Sequence, residues 1–264
     1  MQLGTDKVIG HIDGAIGHLT LNQPEKHNAM SYEMWSALII AMAGFAADDG
    51  VRVVILRGEG GRAFSAGADI SEFETRRHTP EAVAEYDGNT RKAIDALAEI
   101  DKPTIAHIEG YCVGGGFELA MYCDLRFASE ASSFGIPAAK LGLGYGFEDV
   151  RALVQTVGPA AAKEILFTGR RFDGQQALQM GLINKVLPAD ELAAYVSETA
   201  DMIAANAPLT HKASKRTVHE VLKDAEMRDE ALCHRLVEQC FASTDYVEGR
   251  TAFMEKRRPR FRGK

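Results

Sequence analysis

Residues 110–124 read GYCVGGGFELAMYCD. They follow TIAHI (104–108), a short apolar run with the signature of a buried strand. Three successive glycines, Gly114, Gly115 and Gly116, are costly to order and bring no side chain to pack. Directly after them Glu118 stands alone among Phe117, Leu119, Ala120 and Met121, at the start of what reads as a short buried helix. A second cluster of small residues, AFSAGADI (63–70), also leaves a strand and turns. One such cluster is accounted for by tight turning alone. Two of them, separated by a strand–helix unit, point to two bare backbone N–H groups converging on one ligand atom, the arrangement of an oxyanion hole. A helix starting at the second cluster adds its positive dipole end.

Working outward, Val8–Ile12 and Ala15–Leu21 flank Asp13-Gly14, a strong hairpin signal. Ser31 caps a helix running to about Ala47. Its most apolar part, from Trp35 on, is interrupted by Ser36 and stopped by Asp48-Asp49. It is too short to span a bilayer and reads as a core helix. Val51–Arg57 is a β-branched strand followed by the turn GEGGR, Pro80–Ile100 a polar helix, and Leu125–Ala128 a returning strand. This alternation predicts an α/β layered domain with mainly crossover connections. After about residue 147 the strands nearly vanish. Helices are expected over 150–157, 160–167, 174–180, 190–206, 208–223, 228–242 and 245–256, with Ile183–Leu187 as one short strand. Pro159 and Pro208 sit near helix starts, where proline is tolerated.

Composition narrows the function classes. A chain of 264 residues buries roughly three-quarters of its unfolded surface and needs no staples. The net charge of −7 argues against a general nucleic-acid binder. The tail from Arg250 to Lys264 is locally basic, which suits either a solvated end or a polyanionic ligand. Cys112, Cys123, Cys233 and Cys240 form no CxxC pair, as expected of reduced thiols in a cytoplasmic protein. The N-terminus MQLGTDKVIG has no apolar signal region, and no membrane association is expected. There is no GxxxxGK[ST], no HExxH and no Cys/His metal spacing, and FSAG is not GxSxG. His211 and His219 read as surface histidines.

AFSAGADI followed by GYCVGGGFELAMYCD resembles the crotonase (enoyl-CoA hydratase/isomerase) superfamily. The likeness extends from NQPEKHNAM (22–30) through FTGRRFDGQQALQMGLINKVLP (167–188) to AFMEKRRPRF (252–261), nearly the whole chain. The resemblance implies an α/β fold: a crotonase-like core of ββα spiral turns over residues 1–200 and a C-terminal helical trimerisation region over 201–264, assembled as a homotrimer or a homohexamer (a dimer of trimers). It also implies an acyl-CoA thioester as substrate, with no separate cofactor because coenzyme A arrives on the substrate. The thioester oxygen would be held by the N–H groups of Ala68 and Gly115, with Glu118 as acid/base. The segment around Ala66, Asp69 and Ile70 would meet CoA at its adenine, Lys26 its phosphates, and Phe253 and Lys256 would reach CoA from the C-terminal end, often across a subunit interface.

One departure concerns the reaction. Family hydratases carry a second glutamate right after a proline; in FGIPAAKLGLGYGFEDVRAL that position is Ala138, which cannot transfer a proton. Gly146 retains the glycine that donates to water in hydratases. Glu148 and Asp149 could bring a carboxylate from the same segment, although acids in a first helical turn are expected anyway. Tyr145, in LGxxY, and KEILFTG resemble the methylmalonyl-CoA decarboxylase branch, but that branch usually has histidine where Ala68 stands. The leading expectation is an enoyl-CoA hydratase/isomerase-type lyase or isomerase of fatty acid metabolism working through an enolate. The alternatives are a malonyl-type acyl-CoA decarboxylase and, from another class, a non-catalytic acyl-CoA-binding protein.

Overall fold

The hairpin expected at Asp13-Gly14 forms. β1 (Val8–Asp13) and β2 (Ile16–Leu21) pair antiparallel with Asp13 opposite Ile16, and Gly14 supplies the positive φ of the turn. The structure, a computed structural model, describes residues 1–264. α1 (Tyr32–Ala47) follows, its first turn capped by the Ser31 hydroxyl accepting from Met34 N, and it buries Met34, Trp35, Leu38, Met42 and Phe45. β3 (Val53–Gly58) and β4 (Ala63–Ser65) come next, then the short α2 (Phe73–Arg76) and the long α3 (Pro80–Glu99) against α1.

β5 (Thr104–Ile108), β6 (Tyr111–Val113) and α4 (Gly115–Met121) make one ββα turn. β7 (Leu125–Ser129), β8 (Ser133–Gly135) and α5 (Ala138–Leu141) make the next. In each turn the first strand enters a six-stranded sheet of order β1-β2-β3-β5-β7-β10 and the second a four-stranded sheet of order β4-β6-β8-β9. Apart from the β1–β2 and β8–β9 pairs, the ladders are parallel. The second sheet escapes sequence reading because its strands are two or three residues long, too short to show a period. β3 and β5 are apolar without alternation because both sheet faces are covered. Val54, Leu56, Ala106 and Ile108 join the main core with α1, whereas Val53, Ile55 and Ile105 pack on Leu192, Val196 and Ala200 of a later helix.

The two helices expected over 150–157 and 160–167 both form within α6 (Phe147–Thr168), and they are separated at Gly158, whose φ of 76° and ψ of 163° are not helical, just before Pro159. β9 (Phe172–Asp173), α7 (Gly174–Gln179) and β10 (Lys185–Leu187) close the sheets. α8 (Ala189–Ala204) then covers the large sheet. It runs past the expected division at residue 200, so the purely helical end begins at α9 (Pro208–Val221) and continues through α10 (Glu230–Ala242) and α11 (Thr244–Met254). α9 is tied to the core by buried Lys215, whose Nζ donates to Asp124 Oδ2 at 2.8 Å and to the Lys102 carbonyl at 3.1 Å. His211 and His219 prove half-buried in this helix rather than superficial, and burial lowers the pKa of both. The basic tail folds back: Arg257 pairs with Glu248 and Glu255, and the amides of Arg262 and Gly263 donate to buried Asp245. All four cysteines are free. No helix is long and apolar enough to cross a membrane.

Candidate active site

Met30 grips the small-residue segment from one side. Its N–H donates to the Gly67 carbonyl at 2.7 Å and its carbonyl accepts from Asp69 N at 2.9 Å, a parallel bridge pairing Met30 with Ala68. In extended backbone, successive N–H groups face opposite ways. The Ala68 N–H therefore faces away from Met30, and it donates to no protein acceptor. Gly67 holds φ +101°, and a Cβ there would press on the Val113 carbonyl at 3.0 Å and on Gly115 N at 3.4 Å. The two glycine-rich segments thus lie back to back. Gly115 opens α4, so its N–H has no intrahelical partner. A Cβ on Gly115 would stand 3.7 Å from Ala68 N and 3.6 Å from Trp35 Cζ2. Gly116 lets α4 approach β4, since a Cβ there would meet the Ser65 carbonyl oxygen at 2.5 Å. The structure therefore brings the two expected donors together, beside Trp35, which sequence reading treated only as core.

Glu118 lies in the first turn of the same helix and is partly buried. Burial is the main cause pushing its pKa up to about 8; the charge and hydrogen bond of Asp149 add to this, and Arg91 opposes it. Asp149 comes from the first turn of α6, and its Oδ1 accepts from Tyr122 Oη at 3.2 Å and from Arg91 Nη1 at 3.5 Å. Arg91 also donates to Tyr122 Oη at 3.3 Å and is anchored by Asp95. Tyr145 is half-buried and its pKa is raised, by burial first and then by the charges of Glu118 and Asp149. Glu148 is exposed, and Ala138 is buried in the core. Arg91 and Tyr122 were missed because α3 reads as a merely polar helix; the one local signal was that Tyr122 falls four residues after Glu118, on the same helical face.

A second group gathers around Lys26. Its Nζ donates to Asp69 Oδ2 at 2.7 Å and to Ser71 Oγ at 3.2 Å, while Asp69 Oδ1 accepts from Ser71 N at 3.1 Å. Burial works to raise the Asp69 pKa, but the bonds from Lys26 and Ser71 outweigh it and hold the carboxyl below its ordinary value. Asp69 is buried with its carboxylate on Lys26, whereas Ile70 is exposed. Ala66 N donates to the His27 carbonyl at 3.0 Å, completing this rim. Phe253 lies elsewhere in the chain. With Leu209, Val237, Tyr246 and Phe261 it lines a groove of about 1060 Å³ among the C-terminal helices. Lys256 follows with φ +54°. No hydrogen bond or ion pair joins either residue to the Lys26 segment within one chain.

A backbone donor pair thus lies beside an acid on a spiral of ββα turns. Comparison with known proteins identifies the family. The family model described as enoyl-CoA hydratase/isomerase matches residues 11–264. The short-chain-enoyl-CoA hydratase of Clostridium acetobutylicum is 34% identical over 253 residues, covering 96% of each chain. The crotonyl-CoA hydratase of Syntrophomonas wolfei is 35% identical over 92% of this chain and 93% of its own. Among solved structures, an enoyl-CoA hydratase/carnithine racemase from Magnetospirillum magneticum superposes with a TM-score of 0.92 at 37% identity, covering 98% of this chain and 97% of that one. Enoyl-CoA hydratase from Bacillus anthracis superposes at 0.89 with 29% identity, covering 98% and 100%. The chain belongs to the enoyl-CoA hydratase/isomerase family and has the crotonase fold.

Proposed function

We propose that the protein converts an acyl-CoA thioester through an enolate whose oxygen is bound by the N–H groups of Ala68 and Gly115, with Glu118 exchanging a proton at the carbon beside the carbonyl. The observation that carries this reading is the approach of the two unpartnered amides to one another on either side of the Gly67–Gly115 contact, with Glu118 one turn further along α4. Fixed donors aimed at developing charge supply much of the barrier reduction in such reactions. A carboxyl with a pKa near 8 suits proton transfer near neutral pH. Lys26, held by Asp69, takes the CoA phosphates at the rim, with Ala66 and Ile70 against the adenine. Coenzyme A enters as part of the substrate. The apolar groove of α9–α11, with Phe241 and Phe253 exposed, supports assembly into a homotrimer or homohexamer in which Phe253 and Lys256 meet a CoA bound to a neighbouring copy.

The reading is tested by a mass-spectrometric screen against enoyl-, hydroxyacyl- and malonyl-type CoA esters, repeated with Glu118→Gln. Unchanged turnover of every active ester in that variant would remove Glu118 from the chemistry. Decarboxylation of a malonyl-type ester keeps Ala138 and Tyr145 in its favour. Against it, a substrate carboxylate would have to sit beside the charge of Asp149. Release of CO₂ from methylmalonyl-CoA would establish that alternative. Tight CoA-ester binding without any product would instead mark a non-catalytic binder.

A further inference from the structure

Ala138 removes the acid that α5 would otherwise present, yet Glu118 has a carboxyl neighbour. Asp149 reaches it from the first turn of α6 and hydrogen-bonds to it. Two residues hold Asp149 in place: Arg91 from α3 and Tyr122, directly after α4, both donate to its Oδ1, and Arg91 also donates to Tyr122 Oη. Its other oxygen, Oδ2, takes neither of these bonds and lies beside Gly146, 3.4 Å from where a Cβ would stand there. An acid present only to complement the α6 dipole would stay in solvent, as Glu148 does. Asp149 is instead drawn inward and oriented, with Oδ2 clear of the Arg91 and Tyr122 bonds.

We propose that Asp149 is the second acid–base group of this site, replacing the carboxylate absent at position 138 and activating the water that adds to a 2-enoyl-CoA. The inference rests on the enolate reading above. In the addition, Asp149 accepts a proton from water as the water oxygen bonds to the β-carbon, and the electron pair of the double bond moves onto the thioester oxygen between Ala68 and Gly115. Glu118 then gives its proton to the α-carbon as the carbonyl re-forms. The site is left with Asp149 protonated and Glu118 ionised, and transfer along their direct hydrogen bond restores the starting pair. No further reagent is consumed. The balance is one water added across one double bond.

The test compares wild type with Asp149→Asn in two assays. The first is hydration of a panel of short- and medium-chain 2-enoyl-CoA esters. The second is exchange of the α-protons of the corresponding saturated esters in heavy water, which needs the oxyanion donors and Glu118 but no water activation. Expected is a loss of hydration of at least about 100-fold, the usual weight of a general base, with exchange reduced less than about 10-fold. Hydration within about 3-fold of wild type overturns the assignment. Equal losses in both assays, with the saturated ester still bound in calorimetry, overturn it too, because Asp149 would then act only by positioning Glu118. Exchange by wild type without hydration of any ester overturns the role of Asp149 and leaves the enolate reading standing. Absence of both activities in wild type overturns that reading itself. If the Asn variant binds no ester, Asp149→Ser carries the same comparison.

Discussion

Lys26 Nζ stands 2.7 Å from Asp69 Oδ2, joining the loop before α1 to the segment that carries the Ala68 donor. The lysine is half exposed and the aspartate buried, so the pair adds at most about 1 kcal/mol to stability. Its consequence is positional: Lys26 precedes His27, whose carbonyl holds Ala66, and Asp69 directly follows Ala68. Lys26→Met is expected to raise KM for the CoA ester roughly tenfold, the effect of losing about 1.4 kcal/mol of binding, with little change in kcat or melting temperature. Steady-state kinetics and a thermal melt measure both. A large fall in melting temperature would make the pair structural instead.

Gly115 and Gly116 are neighbours with opposite expected outcomes. An added methyl at Gly115 makes only ordinary contacts with the protein, at 3.6 Å or more, but it crowds the space in front of Ala68 N. Gly115→Ala should fold normally and lose about 10²–10³ in kcat. At Gly116 the methyl would collide with the Ser65 carbonyl oxygen. Gly116→Ala should therefore lose roughly 1–3 kcal/mol of stability through overpacking. Denaturant titration beside activity separates the two. A Gly115→Ala enzyme at full activity would rule out this pair as an oxyanion site.

The high pKa of Glu118 predicts a pH signature in stability. Between its unfolded value of 4.5 and about 8, the folded protein keeps a proton that the unfolded chain has released. Stability therefore falls as pH rises through this window, by up to about 1.4 kcal/mol per pH unit, and the penalty levels off above it. Asp87, Arg91, Tyr122, Tyr145 and Asp149 are the charged or titratable groups around Glu118 and Asp149. Glu118→Gln has no such cost, so its advantage in melting temperature over wild type should widen from about pH 5 to about pH 8. An advantage that stays constant across that range would refute the shift. Hydration, which uses the protonated acid, should decline above about pH 8.

Lys215 is buried against Asp124, which also accepts from Thr104 N and Oγ1. Removing one member of a buried pair leaves the other charge uncompensated. Because Asp124 is partly exposed, Lys215→Met should cost roughly 2–3 kcal/mol, somewhat below the value for a fully buried pair. Urea unfolding checks this. A loss under about 0.5 kcal/mol, the range of ordinary surface substitutions, would show that α9 is held by its apolar contacts alone.

What the sequence by itself determined is local. Asp13-Gly14 makes the hairpin, Ser31 starts α1, and the glycine triplet before Glu118 is legible because turn chemistry, capping and bare backbone act within a few residues. The motifs at 63–70 and 110–124 likewise carried the family, since each is a contiguous run. Tertiary structure alone decided what surrounds Glu118. Arg91, Tyr122 and Asp149 come from α3, α4 and the start of α6, and no period in the sequence records how those helices pack. Read along the chain, Asp149 is an ordinary first-turn acid. It becomes a partner of Glu118 only because the turn opened by Gly146 lays α6 against α4, where a shared, partly dry site raises the pKa of Glu118.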